Sequence, residues 1–236
     1  GRTCRAGAPA RPSASGPAPP VFVALEATVR RHGLSIDPFE HLIDAFEQDQ
    51  RITRYDTWDQ LVDYCTRSAD PVGRIVLALG GHADWSGRDA DLARMSDATC
   101  TALQLTNFWQ DVRRDLSERG RVYLPAQETS LDPDTLRAWA DRPDDPAVRV
   151  AYIRALRPLV ERTRALFAVG RPLPRALATD LSPVVWLFGA GGESVLTAVE
   201  RIGCATLWTR PVLPKWRKAA LVLTAILARR RWSAAP

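Results

Sequence analysis

The chain has 236 residues, of which 46% are hydrophobic, enough to bury one sizeable core. Its net charge of +5 favours an anionic partner. Zinc-finger spacing, an RNP-like strand and a clustered basic recognition helix are absent, so nucleic acid is set aside in favour of a diphosphate or an anionic membrane surface. Cys4, Cys65, Cys100 and Cys204 form no CxxC pair and no zinc or disulfide spacing, which points to a reducing, cytoplasmic compartment.

In chain order, residues 1–20 are rich in Pro, Ala, Gly and Arg, lack an apolar period, and read as a disordered leader without the apolar core of a secretory signal. Residues 21–236 read as a single all-α domain. A helix over 21–31 stops at Gly33. Asp37 before Pro38 supplies a cap acceptor and a first-turn proline for a second helix, with Phe39, Leu42, Ile43 and Phe46 on one face. From Thr57 a third helix places Trp58, Leu61, Cys65, Val72, Val76 and Leu79 in phase, and Pro71 kinks or interrupts it. Tyr64 and Ser68 stand four apart beside that stripe; taken alone, Tyr64 is a core-edge tyrosine with its hydroxyl toward water.

The next segment is the most informative. Leu92, Met95, Ala98, Ala102, Leu105, Trp109, Val112 and Leu116 recur at steps of three and four and define one apolar stripe of a single long helix. Asn107, Asp111 and Asp115 stand four apart on another face. Acids at this spacing are usually just solvated. Here Gln104 projects to the same side, and Arg121 and Tyr123 follow in "GRVYLP", so carboxylates, amides and a cation converge. Three oxygen ligands in line suit Mg²⁺, which commonly binds through one or two carboxylates, waters and substrate phosphates.

Residues 131–146, rich in Asp and Pro, read as loops. Residues 147–169 read as a helix with a solvated arginine face, and "GRPLPR" as a break. A helix from Ser182 carries Gly189, Gly191 and Gly192, which fit close helix packing better than a phosphate loop, because no GK[ST] follows and no strand precedes. The last helix, 214–232, has an apolar run too short to span a bilayer. It reads either as a buried terminal helix or as an interfacial one, with Trp216 and Trp232 at the headgroups and Arg229, Arg230 and Arg231 near anionic lipid.

"NFWQDVRRD" resembles the second aspartate-rich motif, NxxxDxxxD, of the squalene and phytoene synthases. With "GRVYLP", "DYCTRSADPVGRIVLAL" and "VERIG" it is most similar to the hydroxysqualene synthase branch of bacterial hopanoid biosynthesis. The resemblance implies an all-α isoprenoid synthase bundle and Mg²⁺ held by Asn107, Asp111 and Asp115. It implies a prenyl diphosphate substrate, presqualene diphosphate in that branch, converted with water to hydroxysqualene and diphosphate. It assigns Asp111, Asp115 and Tyr64 to catalysis, and Gln104, Asn107, Arg121, Tyr123, Arg210 and Asp49 to substrate binding. The family's first aspartate-rich motif has no counterpart here: Asp59 and Asp63 form a DxxxD, but at a helix start, where acids favour the helix dipole. The domain therefore reads as N-terminally incomplete. The alternatives are a squalene or phytoene synthase type prenyltransferase and, from another class, a non-catalytic subunit of a partner synthase or a peripheral membrane protein on the inner face of the membrane.

Overall fold

The computed structural model describes residues 19–177 and 180–232, with side chains described as far as residue 227. Nearly all of the leader lies outside the described residues, as does Cys4. Two compact units are present, residues 1–33 and 34–236.

In the first, α1 (Pro20–His32) ends at Gly33, whose φ of 58° lets its N–H reach the Val29 carbonyl. This left-handed closure is the stop expected from the glycine.

The second unit is all helix among the described residues, apart from one isolated bridge between Arg54 and Val122. It opens with α2 (Asp37–Asp49), α3 (Trp58–Ser68) and α4 (Asp70–Leu79). α2 starts with Asp37 already helical and Ile36 at the cap, one residue earlier than the aspartate-cap reading. Thr57 and Gln60 close a capping box on α3. The chain breaks at Ala69, so Pro71 sits in the first turn of α4, where its missing N–H costs little.

α5 (Ala90–Gln110) is the central helix and packs most extensively against α9 (Pro146–Gly170), then against α4 and α11 (Ser182–Arg201). The single long helix expected through Leu116 is instead two, because Asp111 (φ −107°, ψ 15°) leaves the helical region before α6 (Val112–Arg119) begins. The path nevertheless barely turns: Asp111 N–H still bonds Asn107 O at 3.0 Å, and Asp115 N–H bonds Asp111 O at 2.9 Å. The expected stripe packs inward, with Ala102, Leu105 and Trp109 fully buried and the Trp109 indole donating to Thr163 Oγ1 of α9 at 2.8 Å.

Several expectations are corrected. Residues 131–146 are not all loop, since α7 (Ala126–Thr129) is followed by α8 (Pro133–Ala140), capped by Asp132, which accepts from the N–H groups of Asp134 and Thr135. The α9 arginines are not merely solvated: Arg164 pairs with Glu200 at 2.6 Å, while Arg162 and Arg149 stack over Trp58 and Trp208. "GRPLPR" includes a short turn of helix, α10 (Leu173–Ala176). Of the α11 glycines only Gly192 is at a close approach, where an added Cβ would lie 2.4 Å from Leu103; Gly189 and Gly191 face open space. Ile43 and Phe46 of α2, and Val72 and Leu79 of α4, are exposed rather than core.

The last helix, α12 (Lys215–Trp232), packs on α11, with Ala225 buried and Leu221 half-buried, while Trp216, Leu223, Ile226 and Leu227 are exposed. It is not a buried terminal helix. Among the described residues no helix is long and apolar enough to cross a membrane.

Candidate active site

The approach of two separate backbone stretches builds one wall of the site. Val122 N–H donates to Thr53 O at 2.8 Å and Ala126 N–H to Tyr55 O at 3.0 Å, laying "GRVYLP" along the segment that joins α2 to α3. Arg121 and Tyr123 thereby reach the end of α2 and the middle of α3. Arg121 pairs with Asp49 Oδ2 at 3.1 Å and donates to the Asp49 carbonyl at 2.5 Å. Tyr64 donates its hydroxyl to Asp49 Oδ1 at 2.9 Å. Burial, with Asp49 next to it, pushes the Tyr64 phenol above its ordinary range, so it stays a hydrogen-bond donor. Tyr123 stacks flat on Phe108 at 3.7 Å between ring centroids, and its phenol is raised by burial against the opposing pull of Arg121.

The α5/α6 junction forms the adjoining wall, tied to the first where the Arg121 N–H bonds the Asp115 carbonyl at 3.0 Å. Asp111 and Asp115 are both buried, 6% and 4% exposed, so neither is a solvated surface acid. Asp111 is held through both oxygens, Oδ1 by Arg210 at 2.5 Å and Oδ2 by Arg114 at 2.6 Å. Asp115 takes Arg119 through Oδ1 at 3.3 Å. Desolvation raises the Asp115 carboxyl above its ordinary range, opposed by Arg119 and reinforced by Asp111. Gln110 donates to the Pro211 carbonyl at 2.7 Å and so pins the segment that carries Arg210.

These walls enclose a cavity of about 500 Å³. All nine residues expected from the sequence line it: Asp49, Tyr64, Gln104, Asn107, Asp111, Asp115, Arg121, Tyr123 and Arg210. Asp59 and Asp63 do not. Arg114 and Arg119, which the sequence reading missed, line it too. Their signal was available, since Arg114 lies three residues after Asp111 and Arg119 four after Asp115, the spacings at which helical side chains meet. Four arginines and three carboxylates face the space, leaving one positive charge in excess. A polyanion is favoured there by Coulomb attraction and by charge-assisted hydrogen bonds.

The donor set also suits a hard divalent cation, because Asp111 and Asp115 offer carboxylate oxygens and Asn107 an amide oxygen on one wall. Among the described residues no three His, Cys, Asp or Glu converge into a closed metal cage. Remaining coordination positions would fall to waters or ligand oxygens.

A second cavity, about 260 Å³, adjoins the first and is walled by apolar groups that include Val72, Leu77, Leu103, Leu173, Val185 and Phe188. A polar chamber therefore opens onto a greasy one, a shape that suits an amphiphile with an anionic head.

The squalene/phytoene synthase family model matches residues 4–217, and the chain belongs to that family. Its helical bundle is of the isoprenoid synthase type. The solved squalene synthase HpnC from Alicyclobacillus acidocaldarius is 39% identical, with a TM-score of 0.63 over 78% of this chain and 66% of that one. A hydroxysqualene synthase of Zymomonas mobilis is 41% identical over 109 residues, 45% of this chain and 35% of that protein. A phytoene synthase of Arthrospira platensis is 31% identical over 87% of this chain and 67% of that protein. The matches thus span from about a third to two thirds of these curated relatives' length.

Proposed function

We propose that the chain acts on a prenyl diphosphate, and specifically that it converts presqualene diphosphate and water to hydroxysqualene and diphosphate. The observation that carries this reading is the pairing of an arginine- and aspartate-lined cavity with an adjoining apolar one. The diphosphate would occupy the first and the hydrocarbon the second, placing the scissile carbon at their boundary. Arg121 and Arg210 would take up charge as the diphosphate departs, with Arg114 and Arg119 behind them, which lowers the barrier to ionisation. Gln104 would orient the leaving group. Tyr64, whose one hydroxyl proton goes to Asp49, would hold Asp49 and through it Arg121 in place beside the leaving group, with the Tyr123 ring tilted against its own.

Asn107, Asp111 and Asp115 would hold Mg²⁺, which when bound supplies Lewis-acid stabilisation of the diphosphate. The same reading includes weak association with anionic membrane surfaces through α12. A squalene or phytoene synthase type condensation is the neighbouring alternative, since it would use the same two cavities.

The test is incubation with presqualene diphosphate and Mg²⁺, with products followed by gas chromatography and diphosphate measured separately. Hydroxysqualene with equimolar diphosphate is expected, lost in Asp111→Asn and Asp115→Asn. Squalene or a phytoene-type product in its place would move the assignment to the alternative.

A further inference from the structure

The polar and apolar cavities have three lining residues in common, Ser68, Gln104 and Asn107, and all three are polar. Ser68 ends α3, and its hydroxyl oxygen is buried without a hydrogen-bond partner, not even in its own helix. A buried hydroxyl left unpaired costs free energy, and such a group marks a bound water or ligand atom. The Gln104 amide adds a donor and an acceptor at the same boundary, and the Asn107 amide, its oxygen turned to the proposed metal, adds a donor, giving the two to four polar partners that an ordered water requires. No other polar atom needs to be invoked. The walls beyond are mostly apolar, with Ser96 and Thr99 among them, and would hold few further waters.

We infer that Ser68, with Gln104 and Asn107, seats a single water at the junction of the two cavities, and that this water is the nucleophile that ends the reaction as an alcohol. The role assigned to the water rests on the proposed function, because the junction is where that reading puts the scissile carbon. The step is balanced without a reductant. The carbon–oxygen bond to diphosphate breaks and its electron pair leaves with the diphosphate. The water oxygen forms a new bond to the rearranged carbocation, and the oxonium proton passes to the released diphosphate. Ser68 is a positioning residue: it orients the water and does not itself bond to the substrate. Without a seated water, the cation would lose a proton to give an olefin.

Two measurements test this. Ser68→Thr and Ser68→Val have nearly the same shape and differ in the hydroxyl, so they separate water binding from packing. In crystal structures of the unmodified chain and of Ser68→Thr, a water is expected within hydrogen-bond distance of the residue 68 hydroxyl and of Gln104 or Asn107, and it should be gone in Ser68→Val. In product analysis the ratio of alcohol to olefin should fall about tenfold in Ser68→Val and be largely kept in Ser68→Thr, the scale of one unmade buried hydrogen bond. Diphosphate release is scored separately. Release with equal alcohol ratios in the two variants overturns the inference while leaving the proposed function standing. Absence of release in every variant defeats the proposed function, and the crystallographic water then decides alone: a dry Ser68 hydroxyl overturns its seating.

Discussion

Asp111 is clamped by two arginines while Asp115 uses one oxygen for its nearest arginine, and this asymmetry makes opposite predictions with and without metal. Asp111→Asn removes a negative charge from a cavity that already has a cationic excess, so a diphosphate analogue should bind at least as well in EDTA as it does to the unmodified chain. The gain in affinity on adding Mg²⁺ should meanwhile fall about tenfold, the loss of one charged ligand. Asp115→Asn should show the same loss, and Asp59→Asn, outside the cavity, should not. Calorimetry with and without Mg²⁺ checks this; equal Mg²⁺ gains in all proteins would remove both carboxylates from the metal site. A second titratable group lies outside the cavity. Asp70 accepts from Thr101 Oγ1 at 2.8 Å, and burial, with Asp97 nearby, pushes its carboxyl up to about 7. A raised folded-state value means stability is fully present below the ordinary carboxylate range and is lost as pH climbs toward 7. Asp70→Asn, which keeps the acceptor, should therefore leave the melting temperature nearly unchanged at pH 4. At pH 8 it should raise it by an amount on the order of 2 kcal/mol, roughly 4–8 °C at this size. An equal shift at both pH values would show that Asp70 ionises normally.

At the scale of elements, the glycines separate packing from propensity. Gly170 closes α9 against α5, where an added Cβ would come 2.0 Å from Thr99 Oγ1 and 3.0 Å from the Met95 carbonyl, whereas Gly189 meets nothing within 4 Å. Gly170→Ala should destabilise by about 1–3 kcal/mol. Gly189→Ala should instead stabilise by roughly 0.5–1 kcal/mol, since alanine is the better helix former; denaturant melts of both variants read the sign directly. α12 makes a different prediction. No acidic residue follows Glu200, and the outward apolar face of α12 is accompanied by Lys215, Arg217 and Lys218. Weak, salt-sensitive binding to anionic vesicles is expected, and undiminished co-sedimentation after deletion of residues 221–236 would dispose of it. Such helices were legible from their apolar period, and the cavity residues from the motif they resemble. The break at Asp111 was not, because it alters one pair of dihedral angles without disturbing the side-chain register. α8 was not legible although Asp132 before Pro133 is the same start signal as Asp37 before Pro38, and it is Asp132, not Asp37, that caps its helix; the surrounding Asp and Pro residues masked it. The exposed Phe46 and Val72 show a further limit, in that a period tells which residues are apolar but not what covers them.

For the whole molecule, charge decides between binding and turnover. The described walls bring Asp111 and Asp115 to the side proposed to hold the metal, while Asp49, the other cavity carboxylate, is occupied by Arg121 and Tyr64. A diphosphate should thus bind firmly, drawn by four arginines, and its affinity should drop steeply with ionic strength. Ionisation asks for more, because the developing charge on both phosphates has to be neutralised as the carbon–oxygen bond stretches, and carboxylates from one wall clamp metal ions from one side only. The chain of 236 residues is therefore expected to bind presqualene diphosphate yet convert it slowly. Extending it at Gly1 with a relative's acidic helix pair, bearing a DxxxD, should raise hydroxysqualene formation at least tenfold without a matching change in affinity, measured by gas chromatography and calorimetry on the same preparations. If both proteins turn over at comparable rates, a second acidic wall is not required, and one-sided coordination with four arginines suffices to carry the leaving group.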